Sequence, residues 1–226
     1  VAAGGGGSGD YVFNGGTITF DYSANINRKL DVGQNLTLGG ATLIKSGGTI
    51  TETALSTTIA SGATTFTRPS GTGTLRMNTV IRNAGGTLDL GASGIADADG
   101  TITVNDIVPW ATVNGSDWAT KNTGNDGALT AYTGYTTSLP ASGNHSTVNF
   151  SVTGSASVTG NLDVNSLKLN TTAAGEALTI ASGAALTISG NGMLFTGADD
   201  YSISGGSMTA GNGVGRQRAS RTGAAR

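Results

Sequence analysis

Only 14 of the 226 residues carry a carboxylate, and two groups of them have spacings suited to chemistry. Asp199 and Asp200 stand adjacent in Gly197-Ala198-Asp199-Asp200. A carboxyl pair can work as general acid and general base on a glycosidic bond. An adjacent acidic pair in a turn is also ordinary solvated turn chemistry. The second group is Asp97, Asp99 and Asp106 in Ile95-Ala96-Asp97-Ala98-Asp99-Gly100-Thr101-Ile102-Thr103-Val104-Asn105-Asp106. Counted from Ile95, they fall at positions three, five and twelve of a twelve-residue calcium loop, with Gly100 at six. Position one is Ile instead of Asp, and Asp99-Gly100 equally marks a tight turn between strands. Asp97, Asp99 and Asp106 are therefore the candidate calcium ligands, beside a plain turn reading.

Aromatic side chains form the third group. Trp110, Trp118, Tyr132 and Tyr135 fall within 26 residues of one another and are the candidate glycan-stacking residues. The alternative is that the indoles fasten their segment to the core, since large aromatics contribute most when buried. The single histidine is His145, and cysteine is absent. Thiol chemistry, disulfides and cysteine-ligated zinc are thereby excluded. No Ser-His-Asp order, phosphate-binding loop or dinucleotide fingerprint occurs, and no cofactor is implied.

Something must position these residues, and the pattern that does so is a recurring phrase of glycine, threonine and an alternating apolar residue. It appears as Gly16-Thr17-Ile18-Thr19-Phe20, Gly48-Thr49-Ile50-Thr51, Gly73-Thr74-Leu75-Arg76-Met77, Gly86-Thr87-Leu88-Asp89-Leu90 and Gly100-Thr101-Ile102-Thr103-Val104. Period-two alternation is that of a strand with one buried face. Strand-turn units recurring roughly every 20–24 residues match one coil of a stacked β-solenoid. Composition agrees: 38 glycines, 12% charged residues and 5% aromatics suit sheets and turns, not helices. The sequence thus predicts an all-β, right-handed parallel β-helix with one irregular excursion. Its organisation is solenoid repeats over 1–106 with a glycine-rich lead-in, the aromatic-containing excursion over 107–147, repeats again over 148–214, and a basic tail over 215–226.

Charge limits the partners. Four of the 12 basic residues (Arg216, Arg218, Arg221 and Arg226) lie in the tail, leaving 8 against 14 acidic in residues 1–215. A body with net charge −6 and no basic stripe does not suit nucleic acid. No run of about 18 apolar residues spans a bilayer as a helix.

The excursion and second repeat block carry a resemblance. Trp110-Ala111-Thr112-Val113-Asn114-Gly115-Ser116-Asp117-Trp118-Ala119-Thr120 resembles a run in bacterial proteins built from autotransporter-associated β-strand repeats. So do Asn161-Leu162-Asp163-Val164-Asn165-Ser166-Leu167-Lys168-Leu169, Leu178-Thr179-Ile180-Ala181-Ser182-Gly183 and Ser202-Ile203-Ser204-Gly205-Gly206-Ser207-Met208-Thr209-Ala210-Gly211. Together they cover most of 107–211. The resemblance implies a pectin-lyase-like β-helix in a secreted or outer-membrane-displayed passenger, usually one portion of a longer polypeptide; this sequence departs from a full autotransporter in carrying neither the export signal nor the C-terminal membrane barrel. The expected function is structural and adhesive, not enzymatic, with glycans or neighbouring cell surfaces as partners. The alternatives are a carbohydrate-active β-helix enzyme and a phage or fibre shaft module. For the former, Gly197-Ala198-Asp199-Asp200 is similar to an element of polygalacturonases, whose Gly-His-Gly, Arg-Ile-Lys and Asn-Thr-Asp elements this chain lacks.

Overall fold

Glycine-separated strands of four to six residues are too short to be stable alone, so each must find a ladder partner one coil away. The computed structural model, which describes residues 9–24, 27–31, 33–190 and 192–210, shows that pairing. All of its regular elements are strands. The chain divides into two compact units, Val1–Ala131 and Tyr132–Arg226. Each is a parallel β-helix. The glycine-rich lead-in over 1–8 and the basic tail over 215–226 lie outside the described residues.

In the first unit every complete coil gives one strand to each of three faces. One face stacks β1 (Tyr11–Asn14), β3 (Leu36–Gly39), β6 (Ser56–Ile59) and β9 (Thr79–Arg82), all parallel. The second stacks β2 (Thr17–Asp21), β4 (Thr42–Ser46), β7 (Gly62–Thr67) and β10 (Gly86–Leu90). The third holds the short β5 (Glu52–Thr53), β8 (Leu75–Arg76) and β11 (Ala96–Ala98). Alternation then sorts the side chains. Ile18, Leu43, Phe66, Leu90 and Val113 form one inward column through successive register partners. Each buried member contributes roughly 1.5–3 kcal/mol. Thr17, Thr42 and Thr65 form the neighbouring outward column. At a corner between faces, Gly62 has φ +117°, and a Cβ there would lie 2.8 Å from the Gly40 nitrogen of the coil beside it. Only glycine allows the coils to approach this closely.

Two expectations need correction. The Thr101–Val104 strand does not form; its place on the third face is taken by Ala96–Ala98. Val104 and Ile107 instead bracket a two-residue turn whose central residues, Asn105 (φ 45°) and Asp106 (φ 71°), are both left-handed. That is the dihedral requirement of a tight turn, which Asn and Asp tolerate.

The expected irregular excursion is regular over most of its length. β12 (Val108–Val113) pairs parallel with β10, and then β13 (Asp117–Lys121) and β14 (Gly127–Ala131) double back as an antiparallel meander. β14 also pairs antiparallel with β11, so the meander joins the second face to the third. It closes one end of the stack, where the last rung would otherwise present an unpaired edge. The glycine-threonine phrase disappears here because antiparallel capping strands do not repeat the coil.

In the second unit regular structure resumes at Gly143, five residues before the expected Val148. Its strands are β15 (Gly143–Thr153), β16 (Ala156–Val158), β17 (Leu162–Thr171), β18 (Ala177–Ile188), β19 (Met193–Gly197) and β20 (Ser202–Ala210). All pair in parallel. β15, β17 and β18 each run across a corner, with a register shift where β15 meets β17 between His145 and Asn149. Inside, Leu162, Leu186 and Met208 stack in one column, and Phe150, Leu167 and Met193 in another. The corner itself is polar and buried. Asn149 Oδ1 accepts from Asn165 Nδ2 (2.6 Å) and from Ser166 Oγ (2.7 Å), satisfying groups that burial would otherwise penalise.

Candidate functional site

The two indoles do not face solvent. Trp110 is 7% exposed on β12, and Trp118 is fully buried on β13. Trp110 belongs to the first unit's apolar core with Leu88, Leu90 and Val113. Ring faces held this way are unavailable for stacking on a sugar, so the indoles serve the cap. That corrects the glycan assignment for this pair.

Tyr132 and Tyr135 differ. Both are half-buried in the second unit, with ring centroids 4.9 Å apart and planes at 85°. The Tyr132 hydroxyl donates to the Gly134 carbonyl (3.0 Å). Lys168 Nζ lies 5.3 Å from the Tyr135 ring centroid, within cation–π range. Thr136 bridges to Phe150 in parallel; its N–H donates to the Asn149 carbonyl and its own carbonyl accepts from Ser151. The two bonds extend the sheet by one rung and fix the residue beside Tyr135.

The candidate calcium ligands are not brought together. No cluster of three His, Cys, Asp or Glu suited to a metal ion occurs among the described residues. Asp97 lies in β11, buried, with its Oδ1 3.1 Å from Arg76 Nε; Arg76 also meets Asp126 at 3.1 Å. Burial pushes the Asp97 carboxyl up, against the opposing pull of Arg76. Asp99 accepts the Asp126 N–H at 2.8 Å. Asp106 sits exposed in the tight turn described above. Asp97 and Asp99 thus pin the turn before β14, which corrects the calcium assignment. Asp89 does the same for the turn after β12, its Oδ1 accepting from Thr112 Oγ1 and the Gly115 N–H, both at 2.8 Å.

The acidic pair stands in the turn between β19 and β20. Asp199 is tied to the coil through its backbone: its N–H donates to Thr171 Oγ1 (3.1 Å) and its carbonyl accepts from the same hydroxyl (3.0 Å). Asp200 is exposed. Elsewhere in this unit, Asn144, Asp163 and Thr187 share register on an outer face and line a shallow open groove with Asn161.

A buried charge cluster went unrecognised in the sequence. Lys45 and Glu52, inward-facing in the first unit, are both fully buried. Glu52 accepts from the backbone N–H groups of Lys29 and Leu30, each at 2.8 Å, and from the Tyr22 hydroxyl. It thereby holds the segment after β2 to the core. Lys45 Nζ lies 4.2 Å over the Tyr22 ring, has no hydrogen-bond partner among the described residues, and would be 2.6 Å from a Cβ at Gly73. Desolvation draws the Lys45 ammonium down, with Arg68 adding to it and Glu52 opposing. Burial and Glu52 push the Tyr22 phenol up. The only sequence signal was that Lys45 and Glu52 occupy inward positions of the alternation, where charge is least expected.

No protein-family model, curated protein or solved structure shows a significant match to this chain.

Two predictions follow from these anchors. Asp89→Ala orphans the Thr112 and Gly115 donors, and each costs about 1–3 kcal/mol. Urea unfolding should show that loss, while added calcium leaves the wild-type midpoint unchanged. Lys45→Met leaves the buried Glu52 carboxylate without its neighbouring cation and should lower stability by about 3–5 kcal/mol. With the folded Lys45 value below 10.5, the unfolded chain binds more protons between the two values, so wild-type stability rises with pH in that window up to about 10. Above that, the raised Tyr22 value reverses the slope. Denaturation at stepped pH should show the rise in the wild type and its absence in Lys45→Met.

Proposed function

We propose that this chain is a structural and adhesive segment of a bacterial cell-surface or secreted, autotransporter-like protein. Its stacked coils are the load-carrying part, and residues on their outer faces make many weak contacts with glycans or neighbouring cells. The observation that carries this reading is the outer surface of the stack. Thr17, Thr42 and Thr65 form one column beside Thr19, Ile44 and Thr67. Val12, Thr37, Thr58 and Ile81 form another on the first face. Such columns are neutral, flat and repeated, which suits multivalent contact, where linked weak sites gain affinity from effective concentration. On the second unit Tyr132 and Tyr135 add the partly exposed aromatic surface that stacks on sugar rings. The carboxylates support adhesion over cleavage: Asp89 and Asp99 hold the cap, Asp97 is paired with Arg76, and Asp199 is fastened by its backbone to Thr171.

The test is a panel of neutral and acidic polysaccharides, scored for retention of the protein and for new reducing or unsaturated ends. Retention without new ends, weakened by Tyr132→Ala/Tyr135→Ala, is the expected result. Cleavage abolished by Asp199→Asn or Asp200→Asn would replace this reading with an enzymatic one.

A further inference from the structure

Among the described residues of the second unit, 132–210, Lys168 is the sole lysine or arginine, against Asp163, Glu176, Asp199 and Asp200. Its position is specific. Lys168 lies at an outward register position of β17, between Ser151 of β15 and Leu194 of β19, and its ammonium approaches the Tyr135 ring. Among its described residues the unit therefore places its one lysine at a half-buried pair of aromatic rings. Neither part hangs on a loose loop. Lys168 is in the middle of a ten-residue strand, and Tyr135 adjoins the Thr136 rung hydrogen-bonded to β15. The edge-to-face packing of Tyr132 on Tyr135 orients both rings.

Resting on the glycan-adhesion reading above, we propose that Tyr132, Tyr135 and Lys168 form a subsite for a uronate-bearing polysaccharide. The apolar face of a pyranose packs on the accessible tyrosine surface, and the C6 carboxylate of the same sugar meets the Lys168 ammonium. Aromatic surface alone recognises any sugar with an apolar face. The ammonium adds selection for the acid, because a charge-assisted hydrogen bond is stronger than a neutral one. The acidic character of the rest of the unit confines anion attraction to this point.

Polygalacturonate oligomers and their fully methyl-esterified counterparts share one sugar backbone and differ in that a methyl cap removes the carboxylate charge, and titration calorimetry with both tests the assignment. The expected result is roughly tenfold tighter binding of the acid, the factor one charge-assisted hydrogen bond supplies. Lys168→Met should bring the acid to the level of the ester without altering ester binding, and Tyr135→Ala should weaken both. Far-UV circular dichroism and the melting temperature establish that each variant is folded. Equal binding of acid and ester, or acid binding untouched in Lys168→Met, overturns the uronate assignment. If Tyr135→Ala still weakens both probes in that case, the glycan-adhesion reading stands without it. Failure of both probes to bind overturns the subsite, and loss of binding across the neutral panel as well removes the adhesion reading itself.

Discussion

A parallel rung cannot satisfy its own backbone. Every strand in both units presents N–H and C=O groups along its edges, and these are paired only when another coil lies in register above or below. Ordering a coil of some 20 residues costs about 1–2 kcal/mol per residue, more than its few inward side chains return. Stacking is the condition under which any coil exists, and the other features answer to it. Corners must be thin enough for coils to approach at rung spacing, so Gly62 sits against Gly40. Side chains at one register position must stack on their own kind, giving the Ile18–Leu43–Phe66–Leu90–Val113 column within and the threonine columns without.

The same constraint accounts for what interrupts the repeat. A stack ends in open edges, and the first unit closes one of them by turning the chain back on itself in β13 and β14. The cap needs fastening because its strands run against the repeat, and the coils beneath provide it: Asp89 and Asp99 accept from backbone N–H groups of the meander turns, and Asp97 holds Arg76, which meets Asp126 in the turn before β14. The buried Glu52 plays a related part for the segment after β2, holding the Lys29 and Leu30 amides. Lys45 is the cost of that arrangement, a desolvated ammonium with an aromatic face in place of a hydrogen-bond acceptor.

The architecture was legible because alternation and glycine spacing are local signals of a non-local arrangement. Thr42-Leu43-Ile44 and Thr65-Phe66-Thr67 predict both the strand and its buried face, and the spacing of 23 residues between Thr42 and Thr65 is the coil. Where the signal became long-range it failed. Thr101–Val104 has the phrase but not the pairing, because Asn105 and Asp106 turn the chain there. The meander carries no repeat, so it read as irregular although its three strands are paired by backbone hydrogen bonds. Asp97 and Asp99 had the sequence spacing of ligands, yet Arg76 and the Asp126 amide, 21 and 27 residues away, occupy them. Tyr132 and Tyr135 were visible as sugar-stacking candidates, but Lys168 joins them only through the register of β17 on β15. Trp110 and Trp118 follow the alternative that residue size suggested, indoles that fasten their segment to the core, and both lie inside.

The central claim is the register of the stack, and the absence of native cysteine gives a clean background on which to test it. Adjacent parallel rungs bring register partners to about 4.8 Å, inside the range a disulfide spans, whereas a diagonal neighbour two residues along lies beyond it. The most direct measurement is mild oxidation of paired cysteine variants, read by the mobility shift of the cross-linked chain. Ile44→Cys with Thr67→Cys should close a disulfide rapidly, and Ile44→Cys with Thr65→Cys should not. Cross-linking of the diagonal pair in preference to the register pair, or of neither, would contradict the stacked parallel coil on which the whole account depends.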